Sequence, residues 1–388
     1  MEAGPQDRYR DALLDWMACA IGGRDEPASR AARAAGDGLL ERVTAAGTAG
    51  HVLDYDDTYL PGLAHLSAAT APVALVLGAQ RGAGVGDAVA AYAAGFEAAG
   101  AMSRAAHPAL YDRGWHPTSV CGTVGAAVVA AQLLGLDEAR TRSAIGLSLL
   151  RTGGFRSAFG SAGKSLQVGA AATGGLAAAQ LAAAGAEVDL DRISGGPAGF
   201  EEVFGAAYEP SGGEDAVVKN WIKAYPCCLQ THGAIEAAIE ARETGSLSDG
   251  AVGHELEVTV HPLSLQAAPV TEPLDGLQAK FSIPYLTAFA LIHGAPGLDS
   301  FGGVDGAAQR LAAQVSVCAD PRLVESEALL AIDGEQVSRV EAALGSPQRP
   351  MDREWLAAKR RSLAGEQLEG ALEDPERPAI ELADALEL

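Results

Sequence analysis

Residues 166–186 read LQVGAAATGGLAAAQLAAAGA, a run of mostly alanine and glycine without a charge. Its apolar positions recur at three-to-four spacing, which predicts a helix. Side chains this small let helix axes approach closely, so a chain built on such segments is expected to pack helix tightly on helix. DALLDWMACAI, VGDAVAAYAAGFEAAGAM, GTVGAAVVAAQLLGL and DEARTRSAIGLSLL repeat the pattern. Asp137 is the expected N-cap of the last of these, with Glu138 favourable in its first turn. Two uncharged stretches, 114–136 and 165–186, have the length to cross a bilayer, but both carry Gln, Thr and Ser inside. They are read as buried helices of a soluble protein.

The texture changes after about residue 220. GHELEVTVHPL alternates, with Leu256, Val258 and Val260 on one face of a strand. AAQVSVCAD is a second short strand. ALLAIDGEQVSRVEAAL reads as two strands around the Asp333-Gly334 hairpin signal. IPYLTAFALIHGA between them is helical. A helix resumes in SPQRPMDREWLAAKRRSLAGEQLEGAL, started by Pro350 and Asp352, and the acidic tail EDPERPAIELADALEL is expected to be peripheral. The fold class is therefore mostly α: a helical domain over 1–219, a smaller α+β domain over 220–346, and C-terminal helices over 347–388 that complete the first.

The chain has 388 residues and a net charge of −22. Such a surface repels nucleic acid and anionic lipid, so neither is an expected partner. A small anion is still admissible, because local basic groups can dominate a closed cleft. Only five residues are lysine, among 28 basic residues, which draws attention to where those amines stand. The five cysteines are odd in number and form no C-x-x-C pair, so neither a disulfide framework nor a structural zinc is indicated. Together with an N-terminus lacking the layout of a signal peptide, this gives a cytoplasmic expectation.

Polar residues concentrate in a few places. HVLDYDDTYLPGLAH, residues 51–65, holds two histidines and three aspartates. It could be a site for an oxygen-preferring divalent ion, an acid/base site, or a loop whose aspartates cap helices. DRGWHPTSVCG sets His116, Thr118 and Ser119 at the start of an Ala-rich helix, where backbone N–H groups favour anions. FGSAGKSLQVG brings Lys164 to a helix start through glycines, without the spacing of a phosphate loop. KAYPCCLQTH carries Lys223, two adjacent cysteines and His232; packed thiols are the plainer reading. KFSIPYLTAFAL carries Lys280, Ser282 and Tyr285, and core packing is the plain reading of the tyrosine.

Taken in order, these segments resemble the family of 2-methylcitrate dehydratase and cis-aconitate decarboxylase, known as MmgE/PrpD. The resemblance rests on HVLDYDDTYLPGLAH, GWHPTSVCGTVGAA, GKSLQVGAAATGG, KAYPCCLQTHGAIEAA, AKFSIPYLTAFAL and DGEQVSRVEAALGSPQRPM, and runs from about residue 10 to 363. It implies a large all-helical domain with an inserted α+β lid, a homodimer, and a site in the cleft between domains. It also implies no metal or organic cofactor, and a small di- or tricarboxylate as substrate. Carried over by position, the implied catalytic residues are His116, His65, Tyr285 and Asp54. The implied substrate-binding residues are Lys164, Lys223 and Thr58, with Thr118 beside them. His51 is read as a structural neighbour. The implied reaction is that of a hydro-lyase working by α-proton abstraction, as in 2-methylcitrate dehydratase. Epimerisation of a small dicarboxylate and decarboxylation of a cis-aconitate-type acid are the alternatives. In the decarboxylase branch a histidine stands where this chain has Cys228, and Thr58 to His65 is one residue longer here. Both departures count against decarboxylation.

Overall fold

The computed structural model describes residues 4–210, 216–246 and 253–386. The chain is mostly helical and divides into two compact units, 1–158 with 162–222 and 352–388, and 159–161 with 223–351.

The first unit is built on the small-residue helices. Gly163–Ala183 packs against Leu39–Val52 on one side and Pro117–Leu133 on another. Glycine sets both approaches. A Cβ at Gly169 would stand 2.5 Å from the Thr44 carbonyl oxygen, and one at Gly175 would stand 2.4 Å from that of Thr123. Alanine at either position would push the helices apart and shift the residues they carry. The first stretch of membrane length is a buried helix, Pro117–Leu133; the second is a helix buried on one side only, with Leu166 and Leu181 exposed, and no helix among the described residues is long and apolar enough to cross a membrane. Asp137 accepts from the Arg140 N–H and caps Glu138–Leu149, as its position implies.

Two expectations for the C-terminal region fail. Arg353–Ala364, capped by Asp352, stops at Gly365, whose backbone (φ 59°, ψ −138°) is one that glycine alone adopts readily, so 366–372 is turn and not helix. The acidic tail is not peripheral. Ala379–Ala385 buries Ala379, Leu382 and Ala383 and packs on the helix Leu66–Arg81. Its apolar positions are three and four apart, and that spacing outweighs its charge.

The second unit holds a four-stranded sheet ordered Val315–Ala319, Leu256–Val260, Ala328–Ile332, Glu335–Val340. The first pair is parallel and the other two are antiparallel. Leu256, Val258 and Val260 are buried, on the face that alternation assigns to them. Asp333 and Gly334 both take positive φ (51° and 80°), the turn that joins the last two strands with the native twist. His232–Glu243 covers those strands and packs against Ile283–His293.

Candidate active site

Four helix ends in the first unit converge on one cluster. His51 lies in the last turn of Leu39–Val52. His65 is the N-cap residue of Leu66–Arg81, and His116 is that of Pro117–Leu133. Lys164 lies in the first turn of Gly163–Ala183. Between His51 and His65 the chain turns back on itself. Asp54 takes a left-handed conformation (φ 53°), one that aspartate tolerates better than most residues, and its N–H donates to the His51 carbonyl. Thr58–Tyr59 then pairs antiparallel with Asn220–Trp221.

Asp56 is the hub. His51 Nδ1 lies 2.9 Å and His65 Nδ1 3.2 Å from the same oxygen, Oδ2. The Thr58 hydroxyl is 3.4 Å from His65 Nδ1. The Lys164 ammonium donates to Asp54 Oδ1 at 2.6 Å, and that oxygen is 3.7 Å from His65 Nε2. The His51 ring meets His65 edge-on (centroids 4.5 Å apart) and stacks on His116 at 6.0 Å. His116 Nδ1 is 2.7 Å from Gln167 Nε2. His51, Asp56 and His116 are at most 1% exposed, so these contacts act in a low dielectric.

Burial alone would raise Asp56, but the imidazoles of His51 and His65 outweigh it and hold the carboxyl well below the usual carboxylate range. Burial lowers His51 against the pull of Asp56. Burial, with His51 and Lys164 adding to it, lowers His116 well below the usual imidazole range. The cluster is thus an ionised Asp56 shared by two imidazoles, with burial favouring the neutral form of His51 and of His116, next to a lysine–aspartate pair.

Asp57 behaves oppositely. Burial and then the Asp56 charge push it up to about 8, against hydrogen bonds from Ser67 and Asn220. An unfolded aspartate titrates near 4, roughly. Between these values the folded chain keeps a proton that the unfolded chain has released, so this group's stabilisation is full below about pH 4 and is lost as pH rises through about 8. Asp57→Asn, which cannot ionise, is expected to flatten that fall. Urea midpoints at pH 5 and pH 8 for both proteins measure it, and equal differences would place the proton elsewhere.

Of the residues singled out from sequence, the first unit gathers Asp54, Thr58, His65, His116, Thr118 and Lys164. The Thr118 hydroxyl accepts from the His65 main-chain N–H at 3.1 Å, so Thr118 has a positioning task tying the two histidine segments together. His51, read from sequence as a neighbour, is inside the network. Lys223 and Tyr285 belong to the second unit, where both are buried. There the Tyr285 hydroxyl oxygen accepts from the Asp305 N–H at 2.9 Å. Cys228 is also in that unit, its thiol directed at the Ala267 carbonyl at 3.8 Å.

Two residues escaped the sequence reading. Asp56 was one of three aspartates within four positions, and nothing in the spacing tells which one meets the rings. Gln167 had a signal: it follows Lys164 by three along a helix, so both lie on one face.

His51, Asp56 and His65 present ligand atoms within 4.8 Å of one another, a group that could hold a divalent cation. The same separations are those of two imidazole N–H groups donating to a carboxylate, which satisfies Asp56 Oδ2 by itself.

This geometry meets a body of known proteins. The MmgE/PrpD N-terminal domain model matches residues 43–212, which include the whole cluster, and the MmgE/PrpD C-terminal domain model matches residues 225–387. Cis-aconitate decarboxylase of Homo sapiens is 31% identical over 216 residues, covering 51% of this chain and 43% of that protein. The Mus musculus enzyme is 27% identical over 272 residues, covering 66% and 55%. The cis-aconitate decarboxylase-like protein oryM of Aspergillus oryzae is 30% identical over 240 residues, covering 55% and 49%. The matched stretches thus span about half the length of these curated relatives. With both domain models matched in order along most of its length, the chain belongs to the MmgE/PrpD family.

Proposed function

We propose that this chain is a cofactor-independent lyase that removes a proton α to a carboxylate in a small di- or tricarboxylic acid. The observation that carries the reading is the buried His51–Asp56–His65 network beside the Lys164–Asp54 pair and His116. Abstracting such a proton builds charge on the carboxylate oxygens. A cationic Lys164 in a low-dielectric setting, with three helix N-termini close by, is suited to stabilise it. A histidine, His65 or His116, is the base, because an imidazole is the side chain whose pKa suits proton transfer near neutrality. Asp54 orients Lys164, and Thr58 supports His65.

Three outcomes are open to the same residues: loss of hydroxide and return of the proton to the opposite face both follow that first step, whereas in loss of carbon dioxide a histidine gives a proton to carbon and the electron pair of the breaking C–CO2 bond forms the new double bond. Dehydration of a 2-methylcitrate-like hydroxy acid is the reading we favour. The position equivalent to a histidine of the decarboxylase branch holds the Cys228 thiol, which is engaged with a main-chain carbonyl. Decarboxylation of a cis-aconitate-type acid is the second reading, favoured by the names of the three relatives.

A screen of citrate-like and aspartate-like acids, with products identified by NMR, separates the three outcomes. A new alkene with the carbon count retained means dehydration. Loss of one carbon means decarboxylation, and solvent deuterium at an otherwise unchanged carbon means epimerisation. Stoichiometric metal in the purified, active protein would overturn the cofactor-free part. Lys164→Ala removes a charged hydrogen-bond donor worth about 2 kcal/mol, so KM is expected to rise roughly 30-fold with a smaller change in kcat. Unchanged kinetics would take Lys164 out of the site.

A further inference from the structure

We infer that Gln167 fixes the hydrogen of His116 on Nε2, which makes His116 a hydrogen-bond donor to the substrate and leaves His65 as the base. This deepens the proposed function and rests on it for the identity of the reacting group. The hydrogen position itself follows from contacts that hold whatever the substrate is.

The main chain of Phe155 reads both ends of the Gln167 amide. The Phe155 N–H donates to Gln167 Oε1 at 2.9 Å, and the Phe155 carbonyl accepts from Gln167 Nε2 at 3.2 Å. A backbone N–H can only donate and a backbone carbonyl can only accept, so both contacts demand the same orientation of the amide. The Gln167 main-chain carbonyl accepts from the Ser119 hydroxyl at 3.2 Å, which ties this turn to the helix that His116 begins. Gln167 Nε2 then lies 2.7 Å from His116 Nδ1. An amide nitrogen accepts nothing, so Nδ1 must be the acceptor and the ring hydrogen sits on Nε2. A protonated ring would set two donors against each other at this contact.

His65 carries the opposite tautomer. Its Nδ1 faces Asp56 Oδ2 at 3.2 Å and the Thr58 hydroxyl at 3.4 Å. An ionised carboxylate only accepts, so the hydrogen is on Nδ1 and Nε2 is the basic nitrogen. Two histidines, each preceding a helix, are thereby given different tasks by their partners. In the proton-transfer step the C–H bond of the substrate breaks and an N–H bond forms at His65 Nε2. The electron pair moves toward the substrate carboxylate. His116 donates through Nε2–H to the oxygen where charge grows and keeps its proton, since losing it would leave an imidazolate. Gln167 acts only through His116 and is a positioning residue.

The test is histidine ¹⁵N NMR on the full-length protein, with the His116 resonances assigned by their loss in His116→Asn. The expected result is a protonated Nε2 and an unprotonated Nδ1 at His116, and the reverse at His65. A hydrogen on Nδ1 of His116 in the wild-type protein would overturn the inference, with or without a known substrate. In Gln167→Glu the new carboxylate accepts from Nδ1, so the His116 hydrogen is expected to move there. In that variant kcat is expected to fall about 100-fold with KM changed far less. Gln167→Leu, which imposes neither tautomer, should lose less than Gln167→Glu; the reverse order would reduce Gln167 to a packing role. Failure of the whole acid screen with the expected tautomers present would count against the proposed function and not against this assignment.

Discussion

His65→Gln is expected to lower kcat by about 10³-fold, the loss that follows removal of a positioned general base. Glutamine fills a similar volume and can still donate to the Asp56 carboxylate that His65 Nδ1 faces at 3.2 Å, so the fold should survive. It has no basic nitrogen to receive a proton from carbon. The expected pattern is therefore a fall in kcat and in kcat/KM together, with circular dichroism and the thermal midpoint near wild type. His51 serves as the comparison. It shares the same carboxylate oxygen at 2.9 Å, but its part is to hold Asp56, so His51→Gln should cost much less activity. Equal losses in the two variants would mean that the network matters only as a unit and that His65 is not its chemical end.

The second large effect is on stability. Lys359 and Asp15 form an ion pair at 2.7 Å with both side chains at most 1% exposed. The Lys359 ammonium also donates to the Tyr55 carbonyl at 2.9 Å and lies 3.9 Å from the centre of the Tyr55 ring. Burial raises Asp15 against the opposing pull of Lys359. Lys359→Met removes one charge and strands the other, at a cost of about 3–5 kcal/mol. Adding Asp15→Leu to Lys359→Met should recover most of it, because replacing both members of a buried pair by apolar groups is often neutral. Urea unfolding of the three proteins measures both effects. Tyr55 directly precedes Asp56, so the single variant should also lose activity at temperatures where it remains folded. A double variant no more stable than the single one would show that the site is held by something other than this charge balance.

Helices and strands were legible where side-chain period was clear. Leu256, Val258 and Val260 lie buried on one face of their strand, and Asp333-Gly334 makes the tight turn that the dipeptide signals. The tail misled because its acidic residues drew more weight than the spacing of Ala379, Leu382 and Ala383. Histidines, lysines and the aspartate-rich turn were visible as chemistry from the start. Their grouping in the first unit depends on helix ends brought together by close approaches at Gly169 and Gly175. No local pattern states that convergence. The division of labour between His65 and His116 was not legible at all. It is set by Asp56 on one ring and Gln167 on the other, and the second of these acts across 51 positions of sequence.

The central claim is that His65 takes a proton from the carbon next to a carboxylate. The measurement that bears on it most directly is ¹H NMR of citrate-like and aspartate-like acids incubated with the protein in deuterium oxide, with wild type and His65→Gln run side by side. The expected result is conversion or deuterium exchange at the α-carbon of at least one acid with wild type, reduced about 10³-fold in His65→Gln. Exchange or conversion at the same rate with both proteins would contradict the account, as would none with folded wild-type protein across the panel.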